Sequence, residues 1–284
     1  MSRNFNNNNY NNDHKRRSPP AKNYDPTGKR AYEEDQDREN TSDFIEGRNA
    51  VLEAIRAEIT IDKVFIAKGD VDAALRHIAS TARQTGAVVV EVDRRKLDAM
   101  SHTHAHQGVI AVASSTSYIS VDEILKKAET KNESPLVVIC ESISDPHNLG
   151  AIIRTCEAAG AHGVIIPKRR SSGLGAIVAK SSGGAVYHTP VARVSNISMT
   201  IKELKKAGLW IFGTDSKGTT ELWQADFNIP LAIVIGSEGA GISRLVSESC
   251  DFLINIPMFG KISSLNASVS AGILLYEVVR QRNN

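Results

Sequence analysis

Three short polar segments follow apolar runs, and each carries residue types that can bind or activate a ligand. The first, ISDPHNLGAIIRT (143–155), places Asn148 near the start of a predicted helix and Arg154 six residues later. A helix start with an amide and a guanidinium beside it suits a phosphate or a ribose oxygen. A capped helix with an ordinary surface arginine explains this segment equally well.

The second segment, GSEGAGIS (236–243), is rich in glycine and carries one carboxylate, Glu238. Its glycine order, G-x-x-G-x-G, differs from the dinucleotide-binding fingerprint, and no Gly-Lys-Ser/Thr follows as in a phosphate-binding P-loop. The related stretch GTDSKGTT (213–220) has Thr219 where that loop requires lysine. Glycines leave backbone N–H and C=O groups accessible, so the segment can contact an adenine or a ribose.

The third segment, residues 254–279, predicts a short strand, a break at Pro257 and a helix that starts at Ser263 and Ser264. Small residues fill the first turns of this helix and allow other backbone, a ligand or a partner helix to approach closely. Its polar start, which includes Asn266, can hold a polar ligand. The predicted apolar stripe of the helix is Leu265, Val269, Ile273 and Tyr276.

These segments must be positioned by alternating strands and helices that begin at Pro135. Apolar runs such as LVVIC and LAIVI indicate strands buried on both faces, hence a mostly parallel sheet with helices on either side. Ligands of such sheets bind beyond the carboxyl ends of the strands. The predicted strands are 136–141, 163–166, 189–192, 209–213, 231–235 and 252–256, and the predicted helices between them are 148–159, 174–182 and 197–207.

The rest of the chain divides by composition. Residues 1–42 contain almost no aliphatic side chain, so we expect a disordered tail. Residues 43–115 alternate between helix and strand patterns and predict a small α/β domain. Residues 116–134 read as a linker that contains a helix, and residues 135–284 form the last domain.

The loop SHTHAHQG carries His102, His104 and His106 at alternate positions. No carboxylate or thiolate ligand accompanies them, so we expect no metal. A surface loop that contacts a ligand or RNA is the favoured interpretation, and a plain polar connection is the alternative.

The formal net charge of +2 means that any site for a polyanion is a local patch. The run Lys168, Arg169 and Arg170 is the candidate, although a solvated loop fits the charge as well. Three cysteines lack paired or zinc-like spacing and predict buried thiols in a reducing compartment. No apolar run approaches the ~20 residues of a membrane helix, so we expect a cytoplasmic protein.

Taken together, three motifs resemble the SpoU (TrmH-like) class of the SPOUT superfamily, the S-adenosylmethionine-dependent RNA ribose 2′-O-methyltransferases. They are DPHNLGAIIRT (145–155), IVIGSEGAGIS (233–243) and IPMFGKISSLNASVSAGILLYE (256–277). EGRNAVLEAI and HQGV look like the ribosomal-protein-like RNA-binding domain of the branch that methylates a guanosine of 23S rRNA. The likeness covers the chain from residue 44 onward, with Ala267 where valine is commoner.

The resemblance implies that the last domain is an α/β trefoil knot with a bent cofactor bound in it, and that the protein is a homodimer whose sites are each completed by the partner subunit. It gives Arg154 the role of activating the ribose hydroxyl. A guanidinium is normally charged, which suits it to stabilise the forming alkoxide, whereas action as a base would need an unusual local environment. The protonation state of Arg154 stays open. The implied positioning residues are Asn148, Glu238, Ser264 and Asn266. The implied cofactor contacts are Gly236, Ile256, Leu265, Thr214 and Met258, and Lys168, Arg169 and Arg170 form the implied RNA-facing edge.

Other functions are compatible with parts of this pattern. A tRNA ribose methyltransferase of the same fold is the nearest alternative, since the motifs themselves do not discriminate between RNAs. A non-catalytic RNA-binding or ribosome-assembly factor is disfavoured by the intact polar set. The glycine spacing argues against a nucleotide-dependent oxidoreductase.

Overall fold

The computed structural model describes residues 43–69 and 72–283. The predicted tail at residues 1–42 lies outside them. Within the described ranges, strands between residues 44 and 113 form one sheet and strands between residues 136 and 255 form another. This arrangement confirms the predicted α/β class with a small domain before a parallel-sheet domain.

The first sheet has four strands, and antiparallel and parallel pairing are mixed in it. Its region contains β1 (Phe44–Glu46), α1 (Arg48–Arg56), β2 (Ile61–Ala67), α2 (Ala73–Gln84), β3 (Val88–Val92), α3 (Arg94–Met100) and β4 (Val109–Ala113). The strand order is β1-β4-β2-β3, with β2 and β3 parallel and the other pairs antiparallel. The alternation of helix and strand predicted for this part of the chain is confirmed, whereas the short strand β1 was not predicted.

The second region contains most of the chain's elements. They are α4 (Val121–Lys131), β5 (Leu136–Cys140), α5 (Pro146–Ala158), β6 (Gly163–Pro167), α6 (Ala176–Ser181), β7 (Val191–Val194), α7 (Ile197–Lys206), β8 (Trp210–Thr214), β9 (Thr220–Glu221), β10 (Leu231–Ile235), α8 (Arg244–Ser247), β11 (Phe252–Asn255) and α9 (Ala267–Arg282). Apart from the start of the last helix, the predicted strands and helices fall within about two residues of these bounds, while β9 and α8 were not predicted.

The second sheet has the order β7-β6-β5-β10-β8-β11-β9, and every neighbouring pair in it is parallel. In β5, Leu136, Val138 and Cys140 face one core and Val137 and Ile139 face the other. Helices α5, α6 and α9 cover the first face, and α4, α7 and α8 cover the second. Burial on both faces explains why the strands read as continuous apolar runs.

Strand β11 lies between β8 and β9, although β8 and β9 follow each other in the chain. Residues 215–219, here called the crossing loop, therefore pass over β11. The backbone N–H of Asp215 donates to the carbonyl of Ile254 at 3.0 Å. A Cβ on Gly218 would lie 2.6 Å from the carbonyl oxygen of Leu253, so glycine is needed for this close passage. The crossing is consistent with the threaded C-terminus that the resemblance implies.

The last helix begins later than predicted. The prediction of a start at Ser263 and Ser264 is wrong, because α9 begins at Ala267 with Asn266 as its N-cap. The side-chain oxygen of Asn266 accepts the free N–H groups of the first turn, and an asparagine in this position fixes where a helix starts. The residues from Ile256 to Leu265 are irregular.

Of the predicted apolar stripe of α9, Ile273 packs against the core, whereas two other members are exposed. Val269 is 49% exposed and Tyr276 is 53% exposed. The side chains that enter the core are smaller or shifted by one position, because the helix is apolar on several sides and its periodicity does not select one face. The buried apolar residues are Ala267, Ala271, Leu274, Leu275 and Val278.

The predicted linker, residues 116–134, contributes to the core on the second face of the second sheet. Its helix α4 starts with a capping box between Ser120 and Glu123. Ile124 is fully buried, and a Cβ at Gly163 would lie 2.7 Å from its side chain. This segment therefore packs on the second sheet and is not a free connection.

Asp62 on β2 joins the two regions and is only 2% exposed. Its Oδ1 accepts hydrogen bonds from the hydroxyl of Tyr118 (2.5 Å) and the guanidinium of Arg193 (2.6 Å). Arg193 lies over the Tyr118 ring at 4.3 Å and donates to the carbonyl of Gly86 at 3.2 Å. A Cβ at Gly173 would lie 1.9 Å from Asp62 Oδ2, so position 173 has no room for a residue larger than glycine.

Burial raises the pKa of Asp62 above its ordinary value, while the hydrogen bond from Tyr118 and the charge of Arg193 oppose the rise. Burial also raises the pKa of Tyr118, which therefore stays a protonated donor at neutral pH. A second junction lies nearby, where the N–H of Ala176 donates to Asp43 Oδ2 at 2.6 Å. These contacts fix the first region against the second.

The Asp62→Ala variant is expected to lose about 3–5 kcal/mol of unfolding free energy, because it leaves the buried guanidinium of Arg193 without its carboxylate. Urea unfolding of the full chain, followed by circular dichroism, measures this loss. The control is Glu53→Ala, which removes an ion pair with Arg56 whose side chains are both well exposed and is expected to cost less than about 1 kcal/mol. Equal costs for the two variants would contradict the role given to Asp62.

Candidate active site

A cleft of about 370 Å³ opens at the carboxyl ends of β8, β10 and β11. This volume falls within the range of small-molecule sites, and the position is the one expected for ligands of parallel sheets. All five residues predicted as cofactor contacts line it, namely Gly236, Ile256, Leu265, Thr214 and Met258. Glu238 and Ser264 line it as well.

The glycine segment forms a tight turn on one wall of the cleft. Ser237 and Gly241 exchange backbone hydrogen bonds of 3.1 and 2.9 Å. Gly239 and Gly241 have φ of 82° and 65°, values that side chains disfavour. A Cβ at Gly236 would lie 2.2 Å from the carbonyl carbon of Gly241, so the turn closes only around glycine. The wall therefore presents backbone groups to the cleft.

Glu238, Asn148 and Asn266 meet in one hydrogen-bonded cluster, here called the polar cluster. Glu238 Oε1 accepts from the side-chain amide of Asn148 at 3.0 Å, from the side-chain amide of Asn266 and from the N–H of Ala267 at 3.4 Å. Asn266 also donates to Asn148 Oδ1 at 2.9 Å. The carboxylate thus lies at the N-terminus of α9, where the helix dipole favours negative charge.

Asn266 has its hydrogen-bonding capacity committed inside the protein. Its amide nitrogen donates to both partners in the polar cluster, and its oxygen accepts from the N–H and hydroxyl of Ser268 and from the N–H of Val269. A primary amide carries two donor hydrogens, so both are used. Asn266 therefore orients Asn148 and Glu238, which remain beside the cleft.

Arg154 lies apart from the polar cluster. It is exposed on α5, and its guanidinium is 3.7 Å from the position of a Cβ on Gly183. It is not among the described residues that line the cleft. Six residues separate it from Asn148, which at 100° per residue places the two on different faces of α5.

Lys168, Arg169 and Arg170 follow β6, at the same edge of the sheet as the cleft. Arg169 and Arg170 are exposed, and Lys168 is partly buried. The ammonium of Lys168 lies 4.0 Å from the position of a Cβ at Gly86, in the first region. The basic run thus stands where the two regions meet, two strands away from β10.

Hydrogen bonds attach the loop with three histidines to Glu46 on β1. Glu46 accepts hydrogen bonds from the hydroxyls of Ser101 and Thr103 and from two backbone N–H groups. Burial alone would raise the pKa of Glu46, but these bonds lower it to about 2. His106 is buried, and its two ring nitrogens contact Asp98 and the N–H of Gly108. His102 and His104 remain exposed.

The described residues show no group of His, Cys, Asp or Glu side chains arranged to hold a metal ion. Burial raises the pKa of Cys140 to about 12 and that of Cys250 to about 12, which favours the protonated thiols. No helix within the described ranges is long and apolar enough to span a membrane.

Sequence reasoning missed part of the cleft. Asp215, Ser216 and Lys217 of the crossing loop line it, although that stretch was compared only with a P-loop. Its position directly after β8 was a usable signal, because ligands of parallel sheets contact the loops after the strands. Phe259, which is 97% exposed, was also not singled out.

Two protein families match the chain. The SpoU rRNA Methylase family matches residues 135–276, and the family described as RNA 2′-O ribose methyltransferase substrate binding matches residues 44–119. Each match falls on one of the two sheet-forming regions.

Among relatives, YacO of Bacillus subtilis, which bears the name of a TrmH family tRNA/rRNA methyltransferase, is 48% identical over 241 residues. The match covers 85% of this chain and 96% of YacO. A relative of the same name type from Staphylococcus aureus is 45% identical over 240 residues, covering 84% of this chain and 96% of the relative.

Solved structures agree with the fold. The SpoU methyltransferase AviRb from Streptomyces viridochromogenes, in complex with the cofactor AdoMet, matches with a TM-score of 0.54 and 26% identity over 84% of this chain and 90% of AviRb. The AdoMet-bound rRNA methyltransferase from Sinorhizobium meliloti matches with a TM-score of 0.54 and 25% identity, covering 84% and 86% of the two chains.

The two family matches, the relatives that share almost half of their residues with this chain, and the parallel sheet with a cleft at its carboxyl edge agree with one another. The chain belongs to the SpoU (TrmH) family of S-adenosylmethionine-dependent RNA 2′-O-ribose methyltransferases.

Proposed function

We propose that this protein methylates the ribose 2′-hydroxyl of a guanosine in 23S rRNA, in the cytoplasm, with S-adenosylmethionine bound in the cleft. The observation that carries the proposal is the convergence of the polar cluster with a cleft lined by all five expected cofactor residues. The folded N-terminal region favours ribosomal RNA. Relatives named for both tRNA and rRNA keep tRNA as the second candidate.

The residues that line the cleft fit the chemistry of the cofactor. Ile256, Leu265 and Met258 supply apolar side chains to flank an adenine, and the glycine turn supplies backbone groups to bind its edge. The hydroxyl of Thr214 donates to the carbonyl of Val234 at 3.0 Å, so this residue shapes the wall and leaves the polar contacts to backbone. S-adenosylmethionine supplies the methyl group as an electrophilic sulfonium.

The polar cluster positions the ribose. Asn266 is fully committed to neighbouring groups, which leaves Asn148, Glu238 and the hydroxyl of Ser264 to contact the substrate. Holding these groups before the RNA arrives removes part of the entropic barrier to an in-line transfer.

Arg154 acts on the cleft of a second copy of the chain. It is exposed and outside the cleft of its own chain, while α9 exposes the apolar residues Val269 and Tyr276. A homodimer that covers this stripe brings Arg154 of one subunit to the site of the other. There its charge stabilises the developing alkoxide and can bind an adjacent phosphate.

The RNA extends from the cleft across the basic run to the first region. Lys168, Arg169 and Arg170 lie at the same sheet edge as the cleft and provide phosphate contacts. The loop that exposes His102 and His104 presents imidazoles on which an unpaired base can stack. RNA recognition of this kind favours loops and ends over regular duplex.

The substrate can be identified by mapping ribose methylation across rRNA and tRNA from cells with and without this protein. The proposal predicts loss of methylation at one guanosine of 23S rRNA, restored by the wild-type chain and not by an Arg154→Ala variant. Loss at a tRNA position would replace the substrate with the second candidate. Unchanged methylation in both RNAs would contradict the proposed activity.

The shared site predicts complementation between two inactive variants. Arg154→Ala lacks the arginine. In Gly236→Ala the added Cβ would collide with the backbone of Gly241 and disturb the turn that forms the wall of the cleft. A mixed dimer combines one intact cleft with one intact arginine, so after subunit exchange the mixture should regain about a quarter of wild-type methyl transfer. Each variant alone is the control, and circular dichroism checks folding. A mixture as inactive as its components would show that Arg154 acts within its own chain.

A further inference from the structure

Glu141 is a buried carboxylate directly after β5, and it has no role in the proposed reaction. It is 8% exposed and lies outside the residues that line the cleft. Its Oε2 accepts the backbone N–H of Ser243 at 2.9 Å, and its Oε1 accepts the hydroxyl of Ser243 at 2.6 Å. Burying a carboxylate is unfavourable unless hydrogen bonds compensate for the lost water, and both bonds go to one residue here.

Ser243 is the residue at which the glycine turn ends and α8 begins. A serine at the N-cap usually gives its oxygen to the first turn of its own helix. The side chain of Ser243 makes no such bond to α8, and its hydroxyl donates to Glu141. The serine is therefore used to anchor the end of the turn.

The start of the turn is attached to the same residue. The backbone N–H of Glu141 donates to the carbonyl of Ile235 at 2.8 Å, which extends the pairing of β5 with β10 to the point where the turn begins. Glu141 thus holds residue 235 through its backbone and residue 243 through its carboxylate. The intervening turn contains Gly236, Gly239 and Gly241, whose freedom makes an unanchored turn costly to order.

The anchored turn also carries Glu238, the centre of the polar cluster. A change in the separation of residues 235 and 243 would move the backbone that lines the cleft and the carboxylate that contacts Asn148 and Asn266. The position of Glu141 behind the turn lets it act on the cofactor without contacting it.

We propose that Glu141 is a positioning residue that holds the glycine turn in its cofactor-binding conformation through the paired hydrogen bonds to Ser243. The proposal rests on the assignment of the cleft as the S-adenosylmethionine site. It gives Glu141 an effect on cofactor affinity, with the RNA contacts of the first region and the basic run unchanged.

Calorimetric titration of the full chain with S-adenosylmethionine tests the proposal. Glu141→Ala removes both bonds and should weaken cofactor affinity about tenfold or more, the size expected for charge-assisted hydrogen bonds. Glu141→Gln should bind within about threefold of wild type, because its amide oxygen can accept the Ser243 N–H and its amide nitrogen can donate to the Ser243 hydroxyl oxygen. RNA affinity of both variants should stay close to wild type, and urea unfolding should show that each variant is folded under the conditions of the titration.

Ser243→Ala is the matched variant on the other side of the contact. It keeps the backbone bond and loses the hydroxyl bond, so its affinity should fall between those of wild type and Glu141→Ala. In the double variant, Ser243→Ala should add nothing to Glu141→Ala, because the two changes remove the same contact. If Glu141→Ala unfolds, Ser243→Ala alone decides the question.

Several results would overturn the proposal. They are unchanged cofactor affinity in folded Glu141→Ala, equal losses in Glu141→Ala and Glu141→Gln, and additive losses in the double variant. A failure of the cofactor site itself is detected separately by Gly236→Ala, which alters the cleft wall directly. If Gly236→Ala binds S-adenosylmethionine like wild type, the assignment of the cleft is wrong whatever Glu141 does.

Discussion

The crossing of β11 beneath residues 215–219 is the constraint on which the rest of the site depends. Because β11 is inserted between β8 and β9, the chain that follows it emerges at the carboxyl edge, between the crossing loop and the glycine turn. The irregular segment from Ile256 to Leu265 then lines the cleft before Asn266 starts α9. One topological feature thus brings three loops, distant in the sequence, to one small volume.

The polar cluster converts this proximity into a defined geometry. Glu238 contributes from the glycine turn, Asn148 from the first turn of α5 and Asn266 from the start of α9. The segments after β5, after β10 and before α9 therefore supply one member each. The cluster holds these segments together beside the cleft, so their packing and the position of the Glu238 carboxylate depend on the same contacts.

The sequence predicted those parts of the fold that local pattern encodes. Runs such as LVVIC and LAIVI predicted parallel strands because burial on both faces removes the polar alternation. Strand order was not encoded locally, and β9, with two residues, carries no periodic signal. The start of α9 was misplaced because Ser263, Ser264 and Asn266 are all capable N-caps, and only the tertiary contacts of Asn266 select it.

The site residues were likewise predicted only in part. The cofactor contacts came from the resemblance, and the cleft brings them together. The six-residue spacing from Asn148 was enough to place Arg154 on another face of α5, but spacing within one helix does not identify the segment that the arginine contacts. The exposure of Val269 and Tyr276 on α9 could not be predicted, because an exposed apolar face of a helix has the same sequence pattern as one that the core covers.

The central claim is that the cleft directs a methyl group to a ribose hydroxyl of guanosine. Its most direct test incubates the purified chain with S-adenosylmethionine carrying an isotope-labelled methyl group and with unmodified 23S rRNA, followed by nucleoside digestion and mass spectrometry. The account predicts label in 2′-O-methylguanosine. Label on a base, or the absence of label from RNA although the protein binds the cofactor, would contradict it.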